Sequence, residues 1–524
     1  MRTPFAEEIF RTKYSHRGKY TWPELVEVMV SDVTKELISK SEKEAMVEMI
    51  TGMYSIPAGR YLYYAGRPTR FYNNCFCFEA QDSREGWADL LHRTASALMC
   101  GGGVGIEYSK IRPRGELLKR TGGEASGPVA LMQIINEVGR FVRQGGSRRS
   151  ALWAGLHCTH RDIPEFIRIK DWSDEVMELK ARDFDFPAPL DCTNLSIGYD
   201  QGDQVDPKDS RFLEAVGMSM RVGCPGFSFN FDNPEENKRN ACCEITTRND
   251  NDVCNMGSVN LSVIETIDDF AQHIELLTMF LMCGGLTGEV PTREIAETRA
   301  KNGRIGVGLM GIHEWLLKRG YRYEMNRELL RWLEVYRGVT DRTAVKFAAR
   351  LGIKPPIKRR AIAPNGTIGI LASTSTGIEP IFAVAYKRRY LEGDNWMYQY
   401  VVDGTAKYLI DQGIHPDAIE TSLDLSYDPE RRIEFQAQVQ EYVDHGISST
   451  INLPRFKNAN VERFAELISK YAPRLRGLTF YPDGARKGQP LTKVDYEEAV
   501  GKEGRVFEEK YHDVCELTGK STCG

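Results

Sequence analysis

Between Tyr72 and Tyr481, short β-rich runs such as "NCFCFEA", "GVGIEYS" and "TNLSIGY" alternate with longer stretches of helical period such as "GWADLLHRTASALM" and "GPVALMQIINEVGRFVRQ". Strands that recur after an intervening helix pair side by side in parallel register, so the alternation predicts an α/β architecture with parallel strands. Ahead of it, residues 22–50 carry apolar side chains at three- and four-residue steps, which predicts two amphipathic helices broken near Ser39 to Ser41. After Pro482 the chain turns charged and polar and reads as a mobile tail ending in Cys515 and Cys523.

Composition narrows the function classes. With 41% apolar and 27% charged residues the chain can bury an ordinary core, and its net charge of −4 supplies no basic field for nucleic acid or an anionic membrane. Any phosphate must therefore be gripped locally. No apolar run approaches the roughly 18 residues of a membrane span, and the N-terminus lacks a signal-peptide core, so a cytoplasmic location is expected. Twelve cysteines in a reducing compartment are mostly small buried hydrophobes, with redox or catalytic thiols to be sought at special spacings. No zinc-ribbon pairing occurs, and Cys515 and Cys523 have no second pair of ligands nearby, so no metal site is read on this chain.

One stretch has such a spacing. In "NKRNACCEITTRNDNDVCNMGSVNLS", an extended strand would put Asn240, Cys242 and Glu244 on one face and Ala241 and Cys243 on the other. A carboxylate beside a thiol can accept a proton, an amide can orient a hydroxyl, and sulfur can exchange a hydrogen atom or an electron. The plainer reading is a polar strand with two buried thiols. Cys75 and Cys77 share a face in "YNNCFCFEAQDS", and Cys254 begins a further strand. Two of these thiols within disulfide reach would store two electrons.

Taken together, these segments resemble the large catalytic chain of ribonucleotide reductase. "NACCE" is similar to that family's Asn-x-Cys-x-Glu strand, "CNMGSVNLS" to the strand of its second redox cysteine, and "RIGVGLMGIHEWL", "AIAPNGTIGILASTSTGIEP", "ISSTINLP" and "GLTFYPDGARKGQPL" to later motifs in the same order. The likeness runs from about Pro57 to Gln489. It implies a ten-stranded α/β barrel of two antiparallel-arranged, five-stranded parallel halves, with "NACCE" on a central finger loop. The implied divisions are an N-terminal helical segment over 1–56, a catalytic barrel over 57–484 and a redox tail over 485–524.

The resemblance also implies roles. Cys242 would become a thiyl radical and remove the substrate's 3′-hydrogen, Glu244 would take the 3′-hydroxyl proton, and Asn240 would hold the ribose hydroxyls. Cys75, in the family's register before Asp82, and Cys254 would reduce the 2′ position and close a disulfide. Cys515 and Cys523, wider apart than the family's usual pair, would reopen it with a thioredoxin- or glutaredoxin-type reductant. The substrate, a ribonucleoside di- or triphosphate, would contact Asn74, Gly103, Pro364, Asn365, Gly366, Thr367 and Ile368, with the amides of Thr367, Ile368 and Gly369 at a helix N-terminus. The glycines of "CGGGVGI" would let the base approach the backbone. A deoxynucleoside triphosphate or ATP effector at a homodimer interface would meet Asp82 and Arg112, and Gln144 and Arg148 of "QGGSRRSALW" would read it.

For the radical source, "RVFEEKY" lacks the glycine of a glycyl-radical loop, and "TFYPDG" has Phe480 and Pro482 around Tyr481 where a relay needs adjacent tyrosines. That favours adenosylcobalamin. The alternative is a metal cofactor on a separate radical-generating small subunit, and a third reading is an inactive nucleotide-binding relative. The segment before Pro57 is too short for the family's optional ATP-sensing domain, which would suit a compact phage-type enzyme in its host's cytoplasm.

Overall fold

The computed structural model describes residues 3–73, 75–143, 150–183, 186–392, 395–454, 460–482 and 491–508. Asn74, Gln144, Arg148, Cys515 and Cys523 lie outside the described residues. The strands, in chain order, are β1 Ser55–Pro57, β2 Cys75–Glu79, β3 Gly103–Glu107, β4 Leu152–His157, β5 Thr193–Asp200, β6 Gly226–Asn230, β7 Lys238–Arg239, β8 Thr246–Thr247, β9 Asp252–Asn260 and β10 Ile305–Met310. They continue with β11 Ala385–Glu392, β12 Asn395–Val402, β13 Thr450–Leu453, β14 Gly477–Pro482, β15 Leu491–Lys493 and β16 Val506–Glu508.

Strands β2 to β6 pair in sequence, all parallel. The second half is built from β9 and β10, the segment 360–362, the stretch from Ile447 into β13, and β14, and its pairings are also parallel. The two halves meet antiparallel at both seams, β2 against β9 and β14 against β6, which closes the sheet. The expected two-half barrel is therefore present, with β1 added antiparallel to β9 outside the ring. Helices such as Arg84–Met99 and Gly127–Phe141 make the crossovers. Strands β2, β3, β6, β9 and β10 are buried along their whole length because helices cover one face and the lumen contents the other.

The two helices expected in the N-terminal stretch are Trp22–Thr34 and Lys40–Thr51, and the break between them is a capping box in which Ser39 and Glu42 satisfy each other's backbone amides. Their apolar faces share one core with the helix Ile267–Thr287 and with Trp315 and Trp332. A second core fills the outer layer of the first half. A third, small cluster occupies the lumen: Cys75, Cys77, Ile245, Cys254, Met256, Ala361 and Ala363 with Ala58. Beside the barrel, β15, β11, β12 and β16 form an antiparallel sheet.

Candidate active site

The "NACCE" segment is the tip of a hairpin, and this corrects the extended-strand expectation. Strands β7 and β8 pair over only two residue pairs, Lys238 with Thr247 and Arg239 with Thr246. Between them the Cys243 N–H donates to the Asn240 carbonyl at 3.1 Å, and Cys243 has φ 68°. The Asn240 side chain accepts the Ile245 N–H at 2.9 Å, so a side-chain-to-backbone bond replaces a strand ladder and reverses the chain. A turn, not alternation, gathers Asn240, Cys242 and Glu244.

The glycines of β3 make room for this turn. A Cβ on Gly105 would lie 1.9 Å from the Arg239 carbonyl oxygen, and one on Gly103 would lie 2.9 Å from the Ala241 methyl. At Gly103 the neighbour that a side chain would meet is thus the finger's Ala241 methyl.

A two-pair hairpin is marginal alone, so tertiary ties must hold it. The Asp252 carboxylate accepts from Thr247 Oγ1 and from Arg304 Nε, both at 2.6 Å, and Arg304 also donates to the Thr246 carbonyl at 3.2 Å. Lys358 donates to Thr246 Oγ1 at 2.6 Å and pairs with Glu236. Beyond the tip, the Gly446 N–H donates to the Glu244 carbonyl at 2.7 Å, and His445 Nδ1 accepts the Thr246 N–H at 3.2 Å. Arg304, Asp252 and Glu236 are buried. Such a charge cluster does little for net stability and serves here to fix one register of the finger. Sequence reading missed these residues, because partners such as Arg304 and Asp252, 52 positions apart, or His445 and Thr246, 199 apart, leave no periodic trace; the one local signal was Asp252, two residues before Cys254.

Cys75 and Cys254 are directly opposed across the antiparallel β2–β9 seam. Opposed residues in such a ladder have Cα atoms about 4.5–5.5 Å apart, inside the range a disulfide bridges. Cys77 is opposed to Asp252 instead, so the register separates the two thiols that alternation could not. Asn240 Nδ2 donates to Cys75 Sγ at 3.0 Å, and the Cys75 thiol points to Glu244 Oε1 at 3.9 Å. Burial, with Glu244, Cys242 and Cys254 nearby, pushes the Cys75 thiol well up, and burial does the same to Cys254. Both stay protonated and can deliver hydrogen. Burial raises the Glu244 carboxyl to about 7, and its Oε2 has no partner among the described residues. Cys242 is only partly covered.

The "APNGTIG" turn opens the helix Gly366–Ala372, as expected, with Asn365 left-handed at φ 44° and its side-chain amide bonded to Ser258 Oγ at 2.5 Å. The Gly369 N–H already donates to the Asn365 carbonyl at 2.8 Å, so the amides without an intrahelical acceptor are those of Gly366, Thr367 and Ile368, and Gly369 drops out. Pro364 and Gly366 line a cleft of about 760 Å³ at the barrel mouth, shared with Ser448, Asn452, Phe382, Tyr400 and Tyr481. The same segment that lines it packs Ala361 and Ala363 on the lumen thiols. Tyr481 faces this cleft, whereas Phe480 points into the outer core against Phe227 and Phe464. Asp82 and Arg112 come together as a half-exposed ion pair at 2.8 Å.

Fold and site together define an α/β barrel with buried thiols and a carboxyl of raised proton affinity gathered in its lumen. The sequence profile described as "Ribonucleotide reductase, barrel domain" matches residues 73–198, 228–349 and 358–479. The chain belongs to the ribonucleotide reductase family, as a large subunit. It is 27% identical to a vitamin B12-dependent ribonucleoside-diphosphate reductase of Thermoplasma acidophilum, over 88% of this chain and 68% of that one. A putative adenosylcobalamin-dependent ribonucleoside-triphosphate reductase of Mycobacterium phage D29 is 26% identical over 81% of this chain and 73% of its own. A class Id ribonucleotide reductase alpha subunit of Actinobacillus ureae superposes with a TM-score of 0.76 at 16% identity, covering 92% of this chain and 97% of that one, which speaks to the fold. Among the described residues no helix is long and apolar enough to cross a membrane.

Proposed function

We propose that this chain reduces ribonucleotides to 2′-deoxyribonucleotides by thiyl-radical chemistry at Cys242, with Cys75 and Cys254 as the two-electron store. The observation that carries the reading is one turn presenting Asn240, Cys242 and Glu244 to a pair of opposed, protonated thiols inside a barrel. A radical at Cys242 takes the 3′-hydrogen while Glu244, through its unpartnered oxygen, accepts the 3′-hydroxyl proton. The 2′-hydroxyl leaves as water with a proton from the thiol pair. The pair's two electrons and its second proton reduce C2′ as the Cys75–Cys254 disulfide forms, Glu244 returns its proton to the 3′-oxygen, and Cys242 returns the hydrogen to C3′. The buried lumen excludes water from these steps. Cys515 and Cys523, with a thioredoxin- or glutaredoxin-type donor, would reopen the disulfide by exchange.

For the radical source we favour adenosylcobalamin, since relatives at 25–27% identity are named as vitamin B12-dependent or, for the phage protein, adenosylcobalamin-dependent. The cleft fits a large group of mainly apolar surface: Ile370, Phe382, Tyr386, Tyr400 and Val402 line it, with Ser448, Thr450 and Asn452 for polar edges. When bound there, adenosylcobalamin supplies a one-electron oxidant by homolysis of its cobalt–carbon bond. Tyr481 faces the cleft while its chain neighbour Phe480 turns into the outer core, so positions 480 and 481 offer no adjacent tyrosine pair for a relay from another subunit. Asp82 and Arg112 are proposed to part from each other to hold a deoxynucleotide effector. Exposed Ile134 and Phe141, seven residues apart on Gly127–Phe141, support a homodimer contact.

The test is deoxynucleotide formation from di- and triphosphates with a dithiol reductant, with and without adenosylcobalamin and with no other protein. Turnover only with the cofactor is expected. Silence that a metal-bearing small subunit relieves would overturn the cofactor assignment, and silence under every condition would overturn catalysis.

A further inference from the structure

At the far ends of β4 and β5, roughly 17 Å along β4 from its first residue, a group of donors stands apart from the chemistry described above. His157 closes β4, Cys158 follows it, and Asp203 sits in the loop after β5. One ligand atom from each of the three lies within 4.8 Å of the others. His157 Nε2 is 3.0 Å from Asp203 Oδ2 and 3.5 Å from Asp200 Oδ2. The ring is fixed in this attitude at Nδ1, which accepts the Thr159 N–H at 3.3 Å and lies 2.8 Å from Thr159 Oγ1, so that Nε2 is the nitrogen turned to the carboxylates. Asp203 is held in turn by the Asp200 N–H at 2.7 Å, and Asp200 by Asn230 at 2.8 Å.

We propose that His157, Cys158 and Asp203 form a binding site for one zinc-class divalent cation. The plainer alternative is a histidine paired with two aspartates beside a thiol packed on the outer core; what sets the group apart is that three different donor types converge within one ion's reach. Nitrogen, sulfur and oxygen donors in one group match the borderline-soft preference of zinc, which takes them at about 2.0–2.3 Å in a tetrahedron. A neighbouring cavity of about 250 Å³, lined by Cys158, Tyr199, Asp203, Asp206 and Arg211, leaves the fourth position to water. All three ligands are partly exposed, which leaves an entry path. The site would pin the loop after β5 to the end of β4 and needs no assumption about the reductase chemistry.

The test uses the full chain, stripped with a chelator and titrated with Co²⁺. One equivalent is expected, with a sulfur-to-cobalt charge-transfer band and tetrahedral visible bands that Zn²⁺ bleaches. Cys158→Ser should remove the charge-transfer band, and His157→Ala should weaken binding at least tenfold. In the unsubstituted protein, Zn²⁺ should protect Cys158 from alkylation, read by peptide mass spectrometry, and this measurement does not depend on any variant folding. A cobalt spectrum and stoichiometry unchanged in both variants, or no protection of Cys158 by Zn²⁺, would mean adventitious binding at other thiols and would overturn the site.

Discussion

Replacing Glu244 by Gln tests the proposed base through stability as well as rate. Glu244 is buried, and its carboxyl is raised from the ordinary 4.5 to about 7, chiefly by desolvation. Each unit of displacement is about 1.4 kcal/mol, so ionising the folded protein's Glu244 costs about 3 kcal/mol more than ionising the same group in the unfolded chain. The folded form binds the proton more tightly. Stability attributable to this group is therefore present below pH 4.5, falls as pH rises toward about 7, and levels off above it. Gln cannot ionise and escapes the penalty. The stability of Glu244→Gln relative to the parent should thus climb by about 2.5 kcal/mol between pH 5 and pH 8. Urea unfolding followed by circular dichroism at pH 5, 6, 7 and 8 measures it. In kinetics, parent turnover should rise through an apparent pKa near 7, and the variant should lose it by about 10²–10⁴-fold. A stability difference that is flat with pH would refute the claim that burial raises the proton affinity of this carboxyl.

Cys242→Ser should abolish deoxynucleotide formation while leaving effector binding intact by equilibrium dialysis; residual turnover would remove Cys242 from the radical role. A single turnover without reductant should yield one disulfide per chain, mapped by mass spectrometry to Cys75 and Cys254, and a Cys77 linkage would contradict the β2–β9 register. Gly105→Ala puts a methyl 1.9 Å from the Arg239 carbonyl and should displace the finger, costing about 1–3 kcal/mol and most activity. Asp252→Asn takes the nearer carboxylate from the fully buried Arg304 side chain, leaving only Glu236 at 3.9 Å, and should cost about 3–5 kcal/mol. Adding Arg304→Met should restore stability by urea unfolding but not turnover, if the pair exists to set the finger's register.

Local sequence determined the strands and helices of this chain, because hydrophobic period and capping act over a few residues: Ser39 and Glu42 mark a helix start, and "GVGIE" can be buried on both faces only as a strand. It also supplied the chemically distinctive set of Asn240, Cys242 and Glu244. Tertiary structure decided how these act. Whether "NACCE" ran straight or turned depended on Gly105 opening a passage in β3 and on Arg304 and Lys358 reaching in from distant parts of the chain. Which of Cys75 and Cys77 faces Cys254 depended on one register across a seam joining segments 179 residues apart, since 254 − 75 = 179. The reason is the same in each case: propensity and period are local, whereas burial, opposed thiols and the proton affinity of Glu244 arise only when the barrel closes and shuts water out.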